Sequence, residues 1–139
     1  MSIFMAALVI VVVSCSKSEV AVNSNTTTSN TIVQGNWKVT YVTDNNTDHT
    51  ADFNGFTLKF VAGGTASISN SLLSVSGNWN SYNDDSQNKL SLAFNTTTLS
   101  FIGYLNEDWH ILERTTVKIR MEHISGGGGG TDYLTIEKL

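Results

Sequence analysis

The chain has 139 residues and a formal net charge of −4, from 12 acidic and 8 basic side chains. That length suits one domain of the usual roughly 100–150 residues, and the scattered, outnumbered Lys and Arg cannot form the phosphate-neutralising patch that nucleic-acid binding requires. The single cysteine excludes an internal disulfide.

The first 14 residues, MSIFMAALVIVVVS, are uncharged and almost wholly apolar. A membrane-spanning helix needs roughly 20 such residues, so the stretch reads as a secretory signal peptide, although Met1 supplies its only positive charge. Cys15 follows at once. The segment Val12-Val13-Ser14-Cys15 resembles the bacterial lipobox, which implies diacylglycerol on Cys15, cleavage after Ser14 and acylation of the new amino terminus. Several acyl chains at about 0.8 kcal/mol per buried CH₂ make a durable anchor, whereas one is marginal. The expected location is the bacterial cell envelope; Ser16 replaces the aspartate that holds some lipoproteins at inner membranes, which favours the outer membrane. Residues 16–34 are rich in Ser, Thr and Asn and offer little to bury. The span 15–34 therefore reads as a lipidated cysteine with a flexible tether, an edge strand near Thr31–Gln34 being the alternative.

From Gly35 to Leu139 apolar and polar residues alternate, the period of strands with one buried face. The inward rows run Trp37-Val39-Tyr41, Phe56-Leu58-Phe60, Ala66-Ile68, Leu73-Val75-Trp79, Leu90-Leu92-Phe94, Trp109-Ile111, Val117-Ile119-Met121 and Leu134-Ile136. Gly63-Gly64 reads as a two-residue hairpin turn, because glycine tolerates positive φ, and Gly77 as a bulge or close approach. Between the fifth and sixth rows Phe101, Leu105 and Trp109 recur every four residues, which predicts a short helical connector over 98–106, with a further strand as the competing reading. The unbroken run Gly126–Gly130 is expected to be the most mobile loop. No helix signal follows it, so it does not read as a phosphate cradle.

Eight short strands with hairpin-length connections predict an all-β, antiparallel up-and-down barrel, a two-sheet β-sandwich being the alternative. Gly35-Asn36-Trp37 resembles the Gly-x-Trp signature of the lipocalins. Gly77-Asn78-Trp79, Leu105-Asn106-Glu107-Asp108-Trp109, and the tail from Ser125 through the glycines to Thr131-Asp132-Tyr133-Leu134 resemble the small lipocalin-like lipoproteins of Bacteroidetes-type bacteria. Thr131-Asp132-Tyr133 is also similar to a second lipocalin motif, but sits before the final strand instead of the one preceding it. The resemblance implies a calycin-type barrel on a lipid anchor and, for most such proteins, no known activity. It also implies a basic residue packed over the signature Trp; Lys138, Arg120 and Arg114 are the candidates.

Two readings of the inward aromatics compete. Trp37, Tyr41, Phe56, Phe60, Trp79 and Phe94 line a cavity for a small apolar or amphiphilic ligand, oriented by Tyr41 and the indole N–H groups; or, with Trp109, they fill a small barrel, as a domain of this size must bury most of its apolar side chains to be stable. The lead expectation is a membrane-anchored binding module. The alternative is a non-enzymatic interaction lipoprotein that presents loops 43–54, 82–88 and 125–131 to another envelope component of unknown identity. No catalytic residue, metal site or cofactor is expected. His49, His110 and His123 are far apart and read as solvated, His110 and His123 on outward faces. Asp44, Asp48 and Asp52 lack the spacing of a calcium loop. Glu107 and Asp108, adjacent in a strand, point to opposite faces and cannot converge on one substrate.

Overall fold

The structure, a computed structural model, describes residues 24–139; Cys15, the apolar leader and the first part of the tether lie outside the described residues. Helix α1 (Ser24–Ile32) precedes β1 (Asn36–Asp44), β2 (Thr47–Asp48), β3 (Thr57–Val61), β4 (Thr65–Ser69), β5 (Ser74–Asp84), β6 (Gln87–Phe94), β7 (Asp108–Arg114), β8 (Lys118–Ile124) and β9 (Thr131–Lys138). Neighbouring strands pair antiparallel in chain order, and β9 returns to pair with β1, so eight strands close into a barrel as the alternation predicts. β2 is a short extra strand folded back on the end of β1. A sheet closed on itself is not a sandwich, and closure leaves no sticky edge. The seam falls at β1, which meets β3 only at Asn36↔Lys59 and Trp37↔Leu58 but runs along β9 from Trp37↔Lys138 to Val42↔Leu134.

The predicted inward rows are buried almost throughout. Trp37, Ile68, Leu90, Trp109, Ile119, Leu134 and Ile136 are all 0 % exposed. Three residues of those rows are exposed: Leu73 (40 %) and Val117 (57 %), which stand just before β5 and β8, and Tyr41 (42 %), where a register shift between Val39 and Tyr41 breaks the alternation and Val42 and Thr43 turn inward. A bulge inserts one residue and so reverses every face beyond it. Gly77 is a close approach within an unbroken register: a Cβ there would lie 2.6 Å from both the Ala93 carbonyl oxygen and the Phe94 ring. The Gly63-Gly64 turn holds three residues rather than two, since Val61↔Thr65 is the last pair. Two other hairpins turn through Asn45-Asn46 and Asp85-Ser86, each pair with φ between 48° and 63°, as two-residue type I′ turns require.

Call the end holding α1 and the start of β1 the lower end. There the expected tether is instead helical from Ser24, and Thr28 and Ile32 are buried. Ser, Thr and Asn are weak helix formers, so tertiary contacts hold this helix: Trp37 Nε1 donates to the Ile32 carbonyl at 2.8 Å, and Arg114 Nη1 to Thr28 Oγ1 at 3.1 Å. Periodicity could not reveal it, since only one strongly apolar residue of α1 is buried. The upper end is closed by two 3-10 helices, Thr50–Phe53 and Ser100–Leu105. The second is the predicted connector, and it buries Ile102 and Leu105.

Candidate functional site

The aromatics expected to line a ligand cavity are largely packed into the barrel. Trp37, Phe60, Trp79 and Phe94 are buried, with Phe60 and Trp79 edge-to-face at 6.1 Å. Phe56 is half-buried at the upper end, 5.6 Å from the Phe101 ring centroid, and Tyr41 faces away from the interior. Each tryptophan N–H already has a backbone acceptor: Trp37 gives to Ile32, Trp79 to Val61 at 2.9 Å and Trp109 to Leu105 at 2.9 Å. A buried indole N–H needs a partner, and these three take theirs from the chain. The indoles fasten α1, the end of β3 and the second 3-10 helix to the barrel wall.

Of the three basic candidates, Lys138 covers the signature tryptophan. Its Nζ stands 5.5 Å from the Trp37 ring centroid, a cation–π distance. Its stem also lies over Gly35, where a Cβ would come within 3.5 Å of it. Arg114 is turned to Thr28, and Arg120 to Glu113 at 3.3 Å.

The upper end carries polar contacts that sequence reasoning had not placed. Asn106 pairs with Phe94 as a strand would: its Oδ1 accepts the Phe94 N–H at 2.7 Å, and its Nδ2 donates to the Phe94 carbonyl at 2.9 Å. This bridges the gap where β7 leaves β6, since those strands pair only over Lys89–Ser91 and Asp108–His110. Asp132, 5 % exposed, accepts the Asn45 N–H at 2.8 Å, while Thr43 Oγ1 accepts the Tyr133 N–H at 3.0 Å. The Thr-Asp-Tyr motif thus clamps the β1–β2 turn to β9.

None of the three histidines lies free in solvent, contrary to expectation. Each is half-buried and faces a carboxylate: His49 to Asp52 at 3.4 Å, His110 to Glu122 at 3.3 Å and His123 to Glu107 at 3.4 Å. His49 also stacks on Tyr104, with centroids 3.8 Å apart. His123 continues the inward row of Ile119 and Met121 at the upper rim, its ring edge toward Trp109, so the outward assignment is corrected. Glu107 and Asp108 do diverge: Glu107 faces His123, whereas Asp108 meets Tyr82. Burial first, then that carboxylate, pushes the Tyr82 phenol above its ordinary 10.0, and a hydrogen bond from Lys89 to Asp84 raises the Lys89 ammonium. Asp44, Asp48 and Asp52 turn to different partners, Asn45, Thr50 and His49, and the Thr50 hydroxyl lowers the Asp48 carboxyl first.

The two larger clefts of the lower rim differ in lining. One, about 530 Å³, opens between α1 and the β3–β4 turn, with Val33, Ala62 and Trp79 beside Ser29, Asn30, Asn80 and Ser81. No charged group lines it, and the Ser81 hydroxyl oxygen is buried there without a hydrogen-bond partner. The other, about 430 Å³, lies between the β7–β8 turn and the end of β9, with Val117, Lys118 and Lys138 in its wall beside Glu113 and Glu137.

Charge divides along the barrel axis. All seven described Lys and Arg residues lie in the lower half: Lys38, Lys59 (opposite Asn36), Lys89, Arg114, Lys118, Arg120 and Lys138. Asp84, Asp85, Glu113 and Glu137 share that half, for a net side-chain charge of +3. The upper half holds Asp44, Asp48, Asp52, Glu107, Asp108, Glu122 and Asp132 and none of the described Lys or Arg, a net of −7.

These features define a class: a closed antiparallel barrel, filled by its own side chains and capped at both ends. No protein-family model matches the chain, and no curated protein does. Among solved structures the chain is similar to the crystal structure of a DUF4847 family protein from Bacteroides vulgatus ATCC 8482. The two are 16 % identical, the match covers 78 % of this chain and 94 % of that one, and the TM-score is 0.50. At that identity the likeness shows the barrel fold alone.

Proposed function

We propose that this protein is a lipocalin-like envelope lipoprotein, exported by its apolar leader, anchored through acylated Cys15 in the outer membrane, and acting as a non-catalytic interaction module. The observation that carries the interaction reading is the closed, filled barrel. With all three indole N–H groups engaged and helices over both ends, the interior serves stability, and recognition falls to the surface. Two of the three loops expected to present that surface, 43–54 and 125–131, lie at the acidic upper end, while 82–88 lies at the lower. The Lys138–Trp37 contact beside Gly35 supports the lipocalin-like part of the reading.

Mass spectrometry of the membrane-extracted protein tests it. The expected result is a triacylated peptide beginning at Cys15 with no small molecule retained by the native barrel. An intact Met1 terminus with an unmodified thiol overturns the anchor.

A second reading has one observation in its favour: the uncharged cleft beside Trp79, with the unpaired Ser81 hydroxyl, suits a small amphiphilic ligand at the lower rim rather than inside the barrel. A molecule that co-purifies with the native protein and is lost on Ser81→Leu would favour it.

A further inference from the structure

From the lower rim we infer that the barrel docks on an anionic lipid surface through the ends of β8, β9, β1 and β3, with the acidic upper end held away from the bilayer. The inference shares with the proposed function the premise that the chain works at a membrane. It adds which end meets the lipid, and it stands with or without acylation of Cys15.

Two independent patterns coincide on this rim. The first is charge: Lys38, Lys59, Lys118, Arg120 and Lys138 are gathered on four adjacent strands, against Glu113 and Glu137. Lys38 and Lys59 project from neighbouring strands and are exposed. The second is apolar exposure at the tips of the same strands. Val61 at the end of β3 is 48 % exposed, Val117 before β8 is 57 %, and Leu139 after β9 is 66 %. The rim is continuous: the Lys138 N–H donates to the Val117 carbonyl at 2.8 Å, and the Leu139 N–H to the Asn36 carbonyl at 2.9 Å.

Apolar tips interspersed with Lys and Arg match an interface where acyl chains begin and phosphates end. The tips enter the headgroup boundary, and the long cationic side chains reach back to the phosphates. The opposite end, at −7, is repelled by the same surface, so a single orientation is selected. Helix α1, through which residues 1–23 join the domain, lies at this lower end as well, so an anchor and the docking face are on one side.

Hydrogen exchange of the full chain, reconstituted in vesicles of phosphatidylcholine alone or mixed with phosphatidylglycerol, tests the orientation. Amides at 62–64, 115–117 and 138–139 should exchange about tenfold more slowly in the anionic vesicles. Loops 70–73 and 125–130 should not change. The difference should vanish in about 1 M salt, where the Debye length falls to about 3 Å, and in Lys38→Glu with Lys59→Glu, two exposed sites whose reversal leaves the unfolding midpoint in place. Equal exchange in both vesicles, or slowing at the upper loops, overturns the docking. The acyl mass at Cys15, read from the same sample, separates the two ideas: an acylated chain without rim protection sinks docking alone, and rim protection without acylation sinks the anchor alone.

Discussion

At the lower end of the barrel the cap is a helix that precedes the first strand; at the upper end it is a pair of 3-10 helices spliced between strands. Both caps are tied by an indole to a backbone carbonyl, Trp37 to Ile32 below and Trp109 to Leu105 above. The bonds are alike, but their connectivity differs. Helix α1 is joined to the barrel at one end only, so it can lift away while every strand stays paired. The Ser100–Leu105 helix cannot move without pulling on β6 and β7. Equal burial therefore need not mean equal contribution to global stability.

Truncating one buried side chain in each cap gives the sharpest contrast. Leu105 and Ile32 are both 0 % exposed. Leu105→Ala should lower the unfolding free energy in urea by about 4 kcal/mol, near the top of the range for such changes, whereas Ile32→Ala should cost about 2 kcal/mol because the site can relax as α1 shifts. Similar losses for the two would break the distinction between a spliced cap and a hinged one. Asn106→Ala probes the upper end further. It strips both partners from Phe94 and should cost about 2 kcal/mol, with faster amide exchange at Phe94 while α1 keeps its protection. If exchange at Phe94 is unchanged, water or a backbone shift has replaced Asn106, and the upper cap is less integral than argued. The smallest effect belongs to the lower hairpin: Ser86 sits at φ 62°, a conformation that strains an L-residue by roughly 1–2 kcal/mol. Ser86→Gly should relieve part of this and stabilise by about 0.5 kcal/mol after the added chain entropy; a loss in urea unfolding would show that the serine does something else there.

The barrel was legible because its signal is repeated: eight short alternating rows are hard to produce by chance, and from Leu58 to Ile136 burial follows them except at the row ends Leu73 and Val117. What escaped were features with no period. The bulge that turns Tyr41 outward is one inserted residue, and nothing in Val39-Thr40-Tyr41 announces it. Helix α1 is held by Ile32, Thr28 and two side chains outside it, Trp37 of the next strand and the distant Arg114, so its sequence in isolation looks like a tether. Asn106 acts as a substitute strand only because β6 and β7 part at that height. The choice of Lys138 over Arg114 and Arg120 depended on which cation the closed seam brings across Trp37. The polarity of charge was present in the sequence but unreadable until the strand order assigned each residue to an end.

The seam has a consequence for how the molecule is made. β1 has two partners, and the longer pairing is with β9, at the far end of the sequence. A ribosome that has delivered all but the last strand has delivered an unzipped sheet, with Trp37 missing the Lys138 side chain that covers it. Contacts this distant along the chain form late and slowly. Until β9 is in place, β1 lacks most of its pairing and the sheet keeps two open edges.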